Sequence, residues 1–162
     1  MSPEEFNRVF RAQLPMVSAY LSRRVPSSDV EDLASDLFEI AWSKKEQIPE
    51  GFELPWLYKT ARYLVSNFHR KQAGRKSILA RLAEPVAAPS AESIALADIE
   101  LSDAFAGLTA AEREIISLWA LEGLSNADIA KVLEVSENAA AIRLTRPKQK
   151  PKDLLTLENL PL

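Results

Sequence analysis

Residues 125–146 read SNADIAKVLEVSENAAAIRLTR, and this run decides how the second half of the chain folds. Ser125 followed by Asp128 is a helix start, and the apolar positions after it keep helical spacing to Leu133. Glu134-Val135 makes a tight turn. Ser136 then caps another helix, which Pro147 is expected to end near Arg146, because proline removes a backbone donor and clashes with the turn before it. Small Ala130 permits a close helix crossing, with Ile129, Leu133 and Val135 as the wedge. Two helices joined this tightly form a helix-turn-helix, whose second helix enters the DNA major groove with its N-terminal residues toward the base edges. Glu137, Asn138 and Arg143 are the candidate base or backbone readers. Arg146, Lys148, Lys150 and Lys152 are candidates for phosphate contact. A plain helical hairpin with a solvated face has similar lengths. Caps, turn and basic tail together favour DNA reading.

Working back toward the N-terminus, Thr109 with Glu112 is a capping box, Ile115, Ile116 and Trp119 form an apolar stripe, and Gly123 suits a C′ position. Ile94 to Phe105 reads as one more helix. The stretch Ser77 to Ala97 is rich in Ala, Pro and Ser and includes Pro85 and Pro89. It reads as a tether, with a short helix at Ile78 to Ala83. From Ser77 to Ala110, Arg81 stands alone against Glu84, Glu92, Asp98, Glu100 and Asp103, so this region is acidic.

The first half is punctuated as clearly. Ser2-Pro3-Glu4-Glu5 is a capping box with Pro at the first helical position. Phe6, Val9, Phe10, Val17, Tyr20 and Leu21 keep one apolar stripe, which Pro15 is expected to kink or split. Ser28 with Glu31 suggests a second capping box, before a buried face of Val30, Leu33, Ala34, Leu37 and Ala41. Pro49, Gly51 and Pro55 mark a loop over Lys44 to Leu54. Pro55 opens a third helix with Leu57, Ala61, Leu64, Val65 and Phe68 inward. The expected architecture is all-α: two small helical domains, 1–76 and 98–162, joined by a flexible linker, 77–97, the second domain containing the helix-turn-helix.

Charge is distributed unevenly. Between Trp56 and Lys76 the chain carries Lys59, Arg62, Arg70, Lys71, Arg75 and Lys76 and no acidic residue, although its net charge is −3 and its pI about 5.3. The aromatics Trp56, Tyr58, Tyr63 and Phe68 are interleaved with these cations. Lys59, Arg62, Tyr63, Ser66, Asn67 and Arg70 lie on or near the face opposite Leu57, Ala61, Leu64 and Phe68. Cations there would hold phosphates, and Tyr63 with Trp56 or Tyr58 would stack on an unpaired base. The same aromatics also suit an ordinary core. The preceding helix is the reverse: Asp29, Asp32, Asp36 and Glu39 share one face, and no basic residue lies between Val25 and Ser43. That face reads either as solvated surface or as a docking face for a basic partner helix.

Composition excludes several classes. Hydrophobic residues make up 47% of the chain and there is no Cys, so it should fold without disulfides or thiolate metal sites, as in a reducing cytoplasm. No apolar run is long enough to span a membrane, and no secretory signal is visible. His69, the only His, sits among Arg and Lys, where a metal ion would be repelled. There is no Gly-rich phosphate loop and no nucleophile beside a candidate base. No catalytic residue, metal or cofactor is expected.

Three pieces carry a family resemblance. They are Val30-Glu31-Asp32-Leu33 leading to Phe38 through Trp42, then Trp56 through Arg62 leading to Arg70-Lys71, and then Leu108 to Arg146. Over about residues 4 to 150 the chain resembles the bacterial extracytoplasmic-function sigma factors. The resemblance implies that Asp29, Asp32, Asp36 and Glu39 face core RNA polymerase. It implies that the helix from Pro55, with its preceding loop, captures the −10 promoter element through Trp56, Lys59, Arg62, Tyr63, Asn67, Arg70 and Lys71. It implies that Glu137, Asn138, Arg143, Arg146 and Lys148 serve the −35 element. An anti-sigma protein is the further partner implied, and alternative sigma factor the function. The chain differs from the family pattern at Tyr63, Asn67, Glu134, Ala139, Ala141 and Pro147, where Asn, Asp, Gly, Thr, a basic residue and a continuing helix are usual. A conventional helix-turn-helix regulator with an N-terminal helical effector domain would account for residues 108–150. It leaves the acidic and the basic aromatic helices unexplained.

Overall fold

In the computed structural model of the chain, residues 1–74, 87–89, 93–94, 103 and 105–158 are described, with backbone only for 150–158. Among them are six α-helices and no strand. They divide into two compact units, Met1–Ala87 and Ala88–Leu162. No helix among the described residues is long and apolar enough to cross a membrane. The expected short helix at 78–83 and most of the helix expected over 94–105 lie outside the described residues.

The first unit is a three-helix bundle of α1 (Pro3–Ser22), α2 (Ser27–Ser43) and α3 (Glu53–Gly74), each packed on the other two. At the start of α1, Ser2 Oγ accepts from the Glu5 amide at 3.1 Å and the Glu5 carboxylate accepts from the Ser2 amide at 3.2 Å. Phe6, Phe10, Val17, Tyr20 and Leu21 of α1 meet Ala34, Leu37 and Ala41 of α2 and Leu57, Tyr58, Ala61 and Val65 of α3 in the core. Phe6 stacks on Phe10 at 4.2 Å between centroids, and Tyr20 lies 5.2 Å from Tyr58.

Three expectations change here. Pro15 does not split α1, which runs unbroken past it. Pro15 and Arg11 are both exposed, so water can serve the carbonyl that the missing donor leaves free. Ser28 and Glu31 make no capping box: α2 begins at Ser27 after Pro26, with no side-chain cap. Its start comes from proline, whose fixed φ suits the turn into a helix. The third helix opens at Glu53, and Pro55 sits inside its first turn, where a backbone donor is unpaired anyway. A short 3₁₀ turn at Lys45–Gln47 occupies part of the loop before it.

The second unit joins α4 (Ala110–Ala120), α5 (Asn126–Leu133) and α6 (Glu137–Glu158), again mutually packed. Its caps match the sequence pattern. Thr109 and Glu112 form the reciprocal box, Ser125 Oγ accepts from the Asp128 amide at 3.2 Å, and Ser136 Oγ accepts from the Ala139 amide at 3.0 Å. Gly123 takes a positive φ of 71° in the α4–α5 turn. Ile115, Ile116, Leu118, Leu124, Ile129, Ala130, Val132, Ala140 and Leu144 form the core. The helix expected to end near Arg146 instead continues through Pro147 to Glu158. Pro147 is itself buried, and the carbonyl it leaves unpaired belongs to exposed Arg143, where water can replace the lost bond.

Candidate nucleic-acid interface

Helix α3 carries the first cationic surface. Leu57, Ala61 and Val65 are buried, and at about 100° per residue the opposite side holds Trp56, Lys59, Tyr63, Asn67 and Arg70. Tyr63 is 47% exposed. Asn67, Arg70 and Lys71 are exposed, and Trp56, Lys59 and Arg62 half-buried. Arg70 Nη1 donates to Asn67 Oδ1 at 3.1 Å, and the amide NH2 of Asn67 is a further donor on this exposed side chain. Tyr58 is different: it is 1% exposed and packs on Tyr20, so it is a core residue and not a stacking platform. Ser66, expected on the polar face, is buried as well. Phe52, missed in the sequence, is 41% exposed one turn before Trp56, and its carbonyl accepts from the Trp56 amide at 3.1 Å. Gly51 with φ of 85° turns the chain just before it. An apolar ring beside a positive-φ glycine was the available signal.

His69 faces the backbone at the end of α1. Its Nε2 lies 2.8 Å from the Arg24 carbonyl. Among the described residues, no group of His, Asp and Glu is arranged to hold a metal ion.

Helix α2 presents the acidic surface. Asp32, Asp36 and Glu39 are exposed on one face. Asp29 is half-buried in the first turn, where its charge also complements the positive helix end. The face ends at Trp42, 40% exposed, with Lys45 Nζ 3.8 Å from its ring centre and Phe6 edge-on at 5.0 Å.

Helix α6 carries the second cationic surface. Ala140, Leu144 and Pro147 point inward, so Asn138, Ile142 and Thr145 lie opposite them, with Arg143 to one side. Glu137, Asn138 and Arg143 are exposed. Two expected phosphate ligands are engaged within the unit. Arg146 Nη1 lies 3.1 Å from both oxygens of Glu112, and Lys148 Nζ sits 4.4 Å above the Trp119 ring. Trp119, read as part of an apolar stripe, is accordingly 39% exposed on the flank rather than in the core. The side chains of Lys150 and Lys152 lie outside the described residues.

These surfaces coincide with two family models: sigma-70 region 2 over residues 9–75 and sigma-70 region 4 over residues 98–150. The RNA polymerase sigma factor CnrH of Cupriavidus metallidurans is 25% identical, over 98% of this chain and 99% of its own length. The Probable RNA polymerase sigma factor RfaY of Xanthomonas campestris is 29% identical over 82% of this chain, which spans only 35% of that relative. Among solved structures, the sigma factor RpoE in complex with the anti-sigma factor NepR from Bartonella quintana superposes with a TM-score of 0.70 at 23% identity. That match covers 96% of this chain and 99% of that one.

Proposed function

The chain belongs to the sigma-70 family, in its extracytoplasmic-function group, and we propose that it joins core RNA polymerase in the cytoplasm and directs promoter recognition and opening as an alternative sigma factor. The observation that carries this is the order of parts: region 2 and region 4 on separate helical units, each with an exposed cationic or polar face. A helix-turn-helix regulator does not require region 2, its acidic helix or its aromatic helix.

The division of labour follows from chemistry. The carboxylates Asp32, Asp36 and Glu39 form a dense anionic face, suited to a basic helix on the polymerase. Asp29 lies at its edge. On α3, Lys59, Arg62, Arg70 and Lys71 neutralise phosphates. Tyr63, Trp56 and Phe52 offer ring faces to bases that leave the duplex, and the Asn67 amide offers a directed donor. A surface that stacks on unpaired bases favours the open strand over the closed duplex, which is the free-energy difference that opening needs. Helix α6 reads duplex DNA at −35 by Asn138, Arg143 and Glu137 in the major groove. Arg146 and Lys148 reach phosphate by exchanging their partners Glu112 and Trp119. The chain's partners are therefore core polymerase, promoter DNA and, by analogy with the NepR complex, an anti-sigma protein.

Run-off transcription with purified core polymerase and a genomic DNA library tests this directly. The expected result is initiation dependent on the chain, at promoters that share a −35 and a −10 motif. Absence of chain-dependent transcripts with active core would overturn the assignment.

A further inference from the structure

We infer that Ile142 is a specificity determinant of the second DNA-binding surface, an apolar reader that recognises the C5-methyl group of a thymine close to the base addressed by Asn138. The inference rests on the proposed −35 reading and narrows it to a chemical class of base.

Ile142 is 64% exposed, more than any other large exposed hydrophobic among the described residues. Single exposed apolar side chains are common and need no explanation. This one sits at the centre of the outward stripe of α6, one turn after Asn138 and beside Arg143. It is not among the buried positions of α6. The inward positions of α6 are Ala140, Leu144 and Pro147, and a β-branched residue is a poorer former of exposed helix than Ala, Leu or Lys.

Small apolar residues also border Ile142, alongside the polar Asn138, Arg143 and Thr145. Ala139 and Ala141 flank it, both half-buried. Thr145, one turn away, gives its hydroxyl proton to the Ala141 carbonyl at 3.1 Å, which leaves it an acceptor and a methyl group. Arg146 and Lys148 are held by Glu112 and Trp119. The tip of the reading helix therefore offers an amide, a guanidinium to one side, and a methyl-rich patch between them.

The major groove has one apolar feature that varies with sequence, the thymine methyl, and Asn pairs there with adenine N6 and N7. Asn138 and Ile142 are separated by about 6 Å along the helix axis. That is one to two base-pair steps of about 3.4 Å. The patch thus fits an adenine followed within one or two pairs by a thymine.

The test uses holoenzyme assembled from the full chain and core polymerase. A −35 motif is first selected from randomised promoters, and each thymine of that element is then replaced by deoxyuridine, which removes only the methyl group. With the native chain, one replacement should lower initiation about three- to fivefold, the loss of one buried methyl contact. Ile142→Ala should lower initiation on the thymine promoter similarly and be indifferent to the same replacement, with unfolding unchanged because the residue is exposed. The inference is overturned if no replacement matters to the native chain. It is equally overturned if the replacement costs both chains the same, or if Ile142→Ala is impaired on thymine and uracil promoters alike, the behaviour of a protein contact. Failure of the underlying reading looks different: randomising −35 would then leave native initiation unchanged while −10 changes still abolished it.

Discussion

Arg24 is a cation in the interior of the first unit, 4% exposed. Its Nε donates to the Ala87 carbonyl at 2.8 Å and its Nη1 to the Tyr20 carbonyl at 2.9 Å, with the guanidinium 3.7 Å from the Tyr20 ring centre. Its own carbonyl can only accept, so His69 carries its proton on Nε2 toward it. One side chain thereby ties the end of α1 to the segment after α3. Arg24→Met should cost about 2–3 kcal/mol in urea unfolding, since two buried carbonyls lose a charged donor. Arg24→Lys should recover less than half of that, because an ammonium lacks the planar fork. Glu134 presents a smaller strain: it adopts φ 57° and ψ 44°, the left-handed region, at the end of α5. Glu134→Gly should stabilise the second unit by about 0.5–1 kcal/mol, read as a higher urea midpoint, by relieving the Cβ clash. Tyr63, 47% exposed, is the ring proposed to stack on an unpaired base. Tyr63→Ala should weaken open-complex formation by about 1–3 kcal/mol, the value of one base–ring stack. Permanganate reactivity of melted thymines measures it, and Tyr63→Phe should behave as the native chain.

Helix α2 has a buried face and an opposite acidic face, the latter proposed to dock core polymerase. Ala34, Leu37 and Ala41 are in the core, while Asp32, Asp36 and Glu39 are exposed. Asp32→Lys combined with Asp36→Lys should therefore leave the unfolding curve nearly unchanged and weaken association with core polymerase on the order of tenfold. Titration of labelled chain with core reports it, and unchanged affinity would remove the docking role. The helices were largely legible from local chemistry. Ser2, Thr109, Ser125 and Ser136 cap as their sequence neighbours suggest, because a cap and its target lie three residues apart. Proline misled at Pro15 and Pro147. Its cost depends on whether solvent reaches the orphaned carbonyl, and that depends on which side of the helix faces the core.

The charge of the molecule opposes its own DNA surfaces. The chain carries a net charge of −3, and the acidic α2 belongs to the same unit as cationic α3. In the second unit, Arg146 is neutralised by Glu112. A free chain thus gains little from counterion release on duplex DNA. Fluorescence anisotropy at about 0.15 M salt should find weak, poorly selective binding of promoter duplex by the chain alone. Binding should become tight and selective once core polymerase is added. Tight specific binding by the lone chain would contradict this.

Local pattern, spacing over three to eight residues, was enough to specify most of the described helices, four of the five expected caps, the helix-turn-helix and the acidic and basic faces. Such features depend on groups that are neighbours along the chain. Packing had to choose the rest. It buried Tyr58 and exposed Tyr63 on one helix, paired Arg146 with Glu112, seated Lys148 on Trp119 and enclosed Arg24. Each of these outcomes joins residues distant in sequence, or turns on which side of a helix meets its neighbour. Alternating charge and ring cannot reveal a partner 34 or 63 residues away.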